Sequence, residues 1–492
     1  MREKLILNND NKEDALEFFT KVVEVGVGFK LQKDVNTKHA DSTQLKQMLV
    51  TELNEQGVNV ENILDDFVEN VLPYCTNFSS ENFMGFPDAG NSIAGIGGAV
   101  MSDFLQQNLI NQSFCAPSAT FVEIAVIQWL RQTVGYTVAD PGNVWDVGGI
   151  ITPGGTSSNT IAMMLAREHH VPGTMDSGVT NPENFKIVVP KGIGHYSVKS
   201  AQRWLGCGNH LLEVPTTNFR YDISELSKVL KEHKGTIMAV VAYAGDSRTM
   251  TVDNLLAVSE CVKSHDSKIW LHADACHGFS LGFSQSLKHK ISGIELFDSI
   301  STDPHKVLAI PYTLSALLIK NPEALKSLSS ISDLIMQEDF AFGQIIPFIG
   351  SKSWSSLKLW FMMKHFGRAG LDDLITKRHQ LAQEFSLMVK NHPSFTLVNK
   401  VDINAVAFLY TNFGSSSNIS YMNSVNRLIH DAMLRGGKYH LHQFGVPDPG
   451  VFSQGETIYP LRFMCGNLNL TTEDMQELLI YIDDLGKKYH KA

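Results

Sequence analysis

The sequence has little cysteine. Six residues (Cys75, Cys115, Cys207, Cys261, Cys276 and Cys465) are scattered over 492 positions with no C-x-x-C pair. That argues against a disulfide framework and for reduced thiols in a cytosol. Long apolar runs are also missing. Stretches such as "IMAVVAYA" are too short to span a bilayer. The opening "MREKLILNNDNKED" interrupts its apolar residues with charge at once, so no signal peptide is expected. Positive charge is in deficit: 41 Lys and Arg face 51 Asp and Glu, the net charge is −10, and no basic cluster stands out. That balance argues against a nucleic-acid or anionic-membrane partner. Nor is there an internal repeat or a low-complexity tract. These absences lead to the expectation of a soluble cytoplasmic protein.

What remains is an ordinary globular composition, 43% hydrophobic and 19% charged. The chain is long enough for two or three domains. Residues 1–80 read as a helical N-terminal segment, where "TQLKQMLVTELNEQG" and "VENILDDFVENVLPYC" carry apolar residues at three- and four-residue spacing. In 81–360, beyond a Gly-rich stretch, short β-branched runs alternate with helical patterns: "FKIVVP", "HLLEVP", "TIMAVVAY", "KIWLHAD", "DSISTD" and "TLSALLIK". Apolar strands separated by helices predict an α/β large domain with a mostly parallel sheet covered by helices. Sites in such sheets sit at the carboxyl ends of the strands. Residues 361–492 read as a smaller α+β domain, with strands near "VAFLY" and "LRFMC" and a last helix from about Thr472.

Five strand-end loops carry chemistry. In "ITPGGTSSN" two glycines and then Thr156, Ser157 and Ser158 open a helix. Its N-terminal N–H groups and dipole suit a phosphate, although the same pattern serves an ordinary cap. It does not match G-x-x-x-x-G-K-[ST], so a nucleoside triphosphate loop loses ground. "GIGHYSVKS" sets His195 at a helix start, where an imidazole can stack on a planar ring or act as a cap. "VVAYAGDSRTM" brings small residues and the pair Asp246–Ser247 to a strand end. In "KIWLHADACHG", alternation places His272, Asp274 and Cys276 on one face. Either Asp274 pairs with a cationic ligand nitrogen, or His272, Asp274, Cys276 and His277 hold a metal. "STDPHKVLAIPY" places Lys306 in the turn behind a strand. Such a lysine is a solvated turn residue, an ion-pair partner, or a desolvated amine of depressed pKa that forms a Schiff base. Together the loops offer a phosphate nest, a ring face, a carboxylate and an amine, the four parts that hold pyridoxal 5′-phosphate.

These stretches, with "APSATFVEIAVIQWL", "GSKSWSSLKLW" and "LRFMCGNLNLTTED", resemble the group II pyridoxal-phosphate-dependent amino-acid decarboxylases in order and spacing over roughly residues 75–480. That family includes the glutamate, aromatic amino-acid, histidine and diaminobutyrate decarboxylases. The resemblance implies the aspartate aminotransferase fold (PLP fold type I), pyridoxal 5′-phosphate as cofactor with no metal, and loss of CO2 from an L-amino acid to give the amine. It gives Lys306 the Schiff base, Asp274 the protonated pyridine nitrogen and His195 the ring face. Thr156 and Ser157 match the phosphate cradle, Ser247 the third cofactor loop, and His305 a histidine of phosphate binding or proton traffic. Gly350 and Ser351 match a segment that reaches the partner subunit's site, so a homodimer with active sites at its interface is implied.

The sequence also departs from the family. Val307 stands where relatives usually carry Trp, Asp246–Ser247 where they carry Thr–Thr, and Lys352 where they carry Arg. "NFMGFPDAG" matches the lining of the substrate side-chain pocket, which brings in Phe86 and Asp88. Asp88 and Asp246 are added acids: they recognise a positive or hydroxylated side chain, or they only cap. Aromatic decarboxylases carry a proton-donating Tyr on a mobile loop. The matching "QEDFAFGQIIP" holds Phe340, read as a substrate contact, and Phe342, but no Tyr. Without the acid, the carbon that loses CO2 is open to O2, and decarboxylative oxidative deamination gives an aldehyde. With His305 or water as donor, the amine forms, which is the expectation here. A catalytically silent binding protein is the third reading, against which intact Lys306, Asp274 and His195 speak.

Overall fold

The computed structural model describes residues 6–87, 90–329, 332, 339–345, 347–413 and 418–490. Among them, seven strands form one sheet: β1 (Gly149–Thr152), β2 (Lys186–Pro190), β3 (Leu211–Val214), β4 (Ile237–Tyr243), β5 (Trp270–Asp274), β6 (Ser299–Thr302) and β7 (Ser315–Ile319). Their spatial order is β1-β7-β6-β5-β4-β2-β3. β7 runs antiparallel to both of its neighbours, and the other pairs are parallel. Every residue of β4 and β5 is buried. That is why β4 reads as an unbroken apolar run, and why the polar His272 and Asp274 of β5 need buried partners.

Helices α1 (Lys12–Lys30), α2 (Ser42–Leu49) and α3 (Val60–Asn70) form the N-terminal segment. α2 starts at a capping box, Asp41 accepting from Gln44 N–H and Gln44 Oε1 from Asp41 N–H. It stops at Leu49, although apolar spacing predicts helix through residue 57. Beyond it Leu53 is 98% exposed, and a short helix with no apolar face to bury does not propagate.

In the large domain the site is framed by α4 (Ile93–Leu105), α5 (Ala119–Thr133), α6 (Gly155–His170), α7 (Tyr196–Trp204) and the one-turn α8 (Pro304–Val307). α9 (Ser356–Asn391), two helical stretches joined at Gly367 (φ 59°), then runs through both parts of the molecule. A second sheet has the order β8 (Phe395–Leu397), β9 (Ala405–Tyr410), β11 (Leu461–Met464), β10 (His442–Gln443). It packs with α10 (Ile419–Gly436) and α11 (Thr472–His490). The main core takes α9 as far as Ile375, and the second core takes it from Ala382. The stretch of α9 after Gly367 thus contributes side chains to both cores.

Candidate active site

The carboxyl ends of β4, β5 and β6 meet the N-termini of α6 and α7 around a cavity of about 260 Å³. Lys306, on α8, lies on its wall. Pro304 starts this helix, where the missing N–H costs nothing. Lys306 Nζ sits 2.8 Å from Asp303 Oδ2, and Ser315 Oγ donates to Asp303 Oδ1. Burial alone would lower the lysine pKa, but the adjacent carboxylate outweighs it and holds the pKa above the usual lysine range. This departs from the depressed pKa expected of a desolvated lysine: the turn supplies its own counter-ion. Gly155 faces the same pair. A Cβ there would lie 2.9 Å from both Asp303 carboxylate oxygens and 3.0 Å from Cys276 Sγ, so only glycine lets the loop close over α8.

Asp274, at the end of β5, is nearly fully buried. Its Oδ2 accepts from Asn159 Nδ2 at 2.9 Å, and its Oδ1 accepts from Cys276 N–H at 3.3 Å. Asn159, on α6, is the hub of a buried network. Its amide also donates to Ser197 Oγ at 2.8 Å. Its carbonyl accepts from Ser301 Oγ at 2.6 Å and from His272 Nε2 at 3.0 Å. His272 Nδ1 then accepts from Ser299 Oγ at 2.8 Å, a hydroxyl that itself accepts from Trp270 Nε1 at 2.8 Å. Burial keeps His272 neutral, with its pKa pushed down to about 4. Both ring nitrogens are engaged by Ser299 and Asn159, which turns this histidine away from metal binding. Among the described residues, no group of three or more His, Cys, Asp and Glu is arranged to hold a metal ion.

The same network orients His195. Ser197 Oγ, having accepted from Asn159, donates to His195 Nδ1 at 2.6 Å, and Ser197 N–H reaches that nitrogen at 3.3 Å. The hydrogen bonds thus assign the proton to Nε2. Burial lowers the His195 pKa, so the ring is a neutral plane at the cavity wall. The backbone N–H of His195 donates to Tyr243 OH at 2.7 Å.

Of the other residues singled out in the sequence, Thr156, Ser247 and His305 line the cavity with Gly154 and Gly155. Ser157 faces a separate surface cavity beside Arg167, Trp204 and Phe348. Ser351 lies in a neighbouring cavity of about 450 Å³. Gly350 is next to it in sequence, and a Cβ there would meet nothing within 4 Å. The following residue, Lys352, forms a buried ion pair with Glu123 of α5 at 2.6 Å, and Ser356 Oγ donates to the same carboxylate at 2.9 Å. Phe86 stacks near His440 and His442, and Phe340 packs against Phe121, neither on the wall of the Lys306 cavity. Asp246 corrects the expectation of a substrate contact. It is fully buried, and its two carboxylate oxygens accept from Arg248 N–H, Thr249 N–H, Thr249 Oγ1 and Thr251 N–H. It holds its own turn. Asp88 lies outside the described residues.

Asn159 and Asp303 escaped the sequence reading. Asn159 directly follows the hydroxyl run Thr156–Ser158 of the glycine loop and belongs to no local pattern, although its alignment with β5 follows from α6 crossing the sheet. A carboxylate three residues before a turn lysine was the available signal for Asp303.

An arrangement of neutral ring face, buried carboxylate, helix N-terminus and lysine suits a planar, phosphorylated, basic heteroaromatic aldehyde. The family model of the pyridoxal-dependent decarboxylase conserved domain matches residues 43–411. The chain belongs to the pyridoxal-dependent decarboxylase family. It is a carboxy-lyase that uses pyridoxal 5′-phosphate to remove CO2 from an amino acid. An aromatic-L-amino-acid decarboxylase of Bacillus atrophaeus is 25% identical over 465 residues, covering 91% of this chain and 90% of that protein. Human cysteine sulfinic acid decarboxylase is 26% identical over 463 residues, covering 90% of each. In fold, the decarboxylase resembles mouse CSAD in its apo form, with a TM-score of 0.86 at 24% identity, covering 97% of this chain and 99% of that one. It equally resembles Oryza sativa TDC with PLP and tryptamine, with a TM-score of 0.86 at 19% identity, covering 98% and 99%.

Proposed function

We propose that this decarboxylase bonds its cofactor through Lys306 and releases the amine of an L-amino acid. The observation that carries this is the convergence of Lys306, Asp274 and His195 on one cavity, Lys306 paired with Asp303 and the other two linked through Asn159 and Ser197. The cofactor, when bound, supplies the electron sink for the pair released with CO2. The chain's own residues do the rest. Asp274, buried and braced by Asn159, holds a proton on the ring nitrogen. The neutral imidazole of His195 covers one ring face without adding charge. The positive end of α6, with Thr156, receives the phosphate. Asp303 offsets the charge of Lys306 while the amine is protonated. The low-dielectric wall strengthens each of these contacts.

We also propose a homodimer in which Gly350 and Ser351 complete the partner's site, in a cytosolic setting that suits six free thiols. Two features support this. Ser351 lies outside the Lys306 cavity of its own chain. The apolar residues of α1 and α4 present an open face, with Ile93 90% exposed and Phe19 packed on Phe104 at 5.2 Å between ring centroids.

The test is a panel of L-phenylalanine, tyrosine, tryptophan, cysteine sulfinate, glutamate, ornithine and lysine, scored for CO2, amine and aldehyde. CO2 with an equal amount of amine from at least one substrate is the expected result. Aldehyde with O2 uptake in place of amine contradicts the amine as product.

A further inference from the structure

Loss of CO2 leaves a carbon that must gain one proton, and the loop expected to supply a phenol has none: no tyrosine occurs between Tyr312 and Tyr410. Phe342 in that stretch is fully buried, and Phe340 packs on Phe121. Within the Lys306 cavity the acids are few. His305 is committed: its Nδ1 lies 2.7 Å from the carbonyl of Leu314, which can only accept, so that nitrogen carries its proton into this bond. His195 is neutral and gives up its remaining proton poorly. Among the described residues, three of the chain's 12 tyrosines line the cavity: Tyr196, Tyr243 and Tyr312. Tyr243 is buried and accepts the His195 N–H, so it has no path by which solvent could replace a lost proton. Tyr196 OH lies 3.4 Å from Thr156 Oγ1, at the phosphate end.

Tyr312 is placed differently. Its ring centroid is 5.1 Å from that of His305, the neighbour of Lys306. It stands on the wall shared by the Lys306 cavity and the cavity that holds Ser351. In the single chain it is 49% exposed and open to water. Its backbone is held on both sides. Lys358 Nζ, from α9, donates to Thr313 O at 3.0 Å, His305 holds Leu314 O, and Ser92 N–H donates to Ala309 O at 2.7 Å. A phenol on the wall of the Lys306 cavity, next to His305 and on a backbone held from both sides, is placed as a general acid.

We propose that Tyr312 protonates the carbon that has lost its carboxylate; this rests on the decarboxylase reading of the Lys306 cavity. The phenol O–H bond breaks, a C–H bond forms, and the phenolate regains its proton from water, so each turnover consumes one proton and releases one CO2.

The experiment compares Tyr312→Phe, loaded with pyridoxal 5′-phosphate, with the unaltered protein on its fastest substrate among the aromatic amino acids, cysteine sulfinate and glutamate. The expected result is a fall in kcat of at least about 100-fold with KM within about threefold, because a general acid acts in the transition state and not in binding. The aldehyde share of product should rise. The dissociation constant of the apoprotein for pyridoxal 5′-phosphate, read by fluorescence, should stay unchanged. Three results overturn the assignment: kcat unchanged in Tyr312→Phe, cofactor affinity falling in step with kcat, or a larger fall of kcat at unchanged KM in Tyr196→Phe. CO2 release by the unaltered protein in the same assay separates failure of this assignment from failure of the reading beneath it.

Discussion

Lys306 Nζ stands 2.8 Å from Asp303 Oδ2, and the carboxylate comes from the same turn, three residues earlier. In the apoprotein this pair offsets the burial of both charges. Burial would raise the Asp303 pKa, but Lys306 and His305 pull it below the usual carboxylate range, while the lysine is held above its own. Asp303 contributes stability above its unfolded value of about 3.9, lost as pH falls through the folded one; Lys306 contributes below about 10.4, lost as pH rises through the folded one. The pair therefore stabilises the apoprotein across the neutral range. Asp303→Asn should cost on the order of 1–3 kcal/mol at pH 7 in urea unfolding of the apoprotein, with the difference shrinking below pH 4. Equal stability of the two proteins at pH 7 contradicts the pairing.

Asn159 connects Asp274 to Ser197, and Ser197 fixes His195. Asn159→Ala removes a donor from a buried carboxylate and releases the imidazole. Pyridoxal 5′-phosphate should bind the variant at least about tenfold more weakly, the factor that corresponds to losing roughly 1.4 kcal/mol. Titration of the apoprotein by fluorescence measures this, and unchanged affinity means that Asp274 is braced by other contacts.

His272 is kept neutral by burial, its pKa pushed down to about 4. The unfolded chain binds a proton there more readily, near about pH 6.5, so stability declines as pH falls from 6.5 toward 4. His440 and His442 are lowered in the same direction, first by burial. In His272→Gln the slope of unfolding free energy against pH in this window should be shallower by up to about 1.4 kcal/mol per pH unit, one proton's worth. An unchanged slope means that His272 is not the group that titrates.

If the exposed face of α1 and α4 is covered by a second copy, sedimentation equilibrium should return twice the chain mass. Replacing Ile93, 90% exposed in the single chain, with Asp should shift the population to monomer and lower activity together with it, because Ser351 then loses its partner. A fully active monomer would remove the shared-site arrangement.

Much of the site could be read from local order. Apolar runs separated by helices marked the parallel strands, and the loops behind them held Lys306, Asp274 and His195, because chemistry in such sheets collects at strand ends. What was not legible came from contacts between distant segments. Asn159 reaches Asp274 across 115 positions, and no periodicity encodes that. Asp246 looked like a free acid, but its carboxylate closes a turn through residues up to five positions ahead, and a side chain's choice between ligand and its own backbone is settled only by packing. The depressed pKa expected of Lys306 failed for a related reason: burial was visible in the sequence, but the distance to Asp303 was not. The helix beyond Leu49 failed because apolar spacing does not say whether a partner surface exists.

The central claim is that Lys306 is the residue bonded to the cofactor. The direct measurement is borohydride reduction of the protein loaded with pyridoxal 5′-phosphate, followed by peptide mapping by mass spectrometry. The account predicts a single pyridoxyl phosphate adduct on Lys306, loss of the visible absorbance band on reduction, and neither adduct nor band in Lys306→Ala. An adduct on another amine would contradict it. The foremost competitor is Lys358 of the neighbouring cavity, whose pKa burial lowers to about 8. The absence of any adduct on a protein that still releases CO2 would contradict it as well.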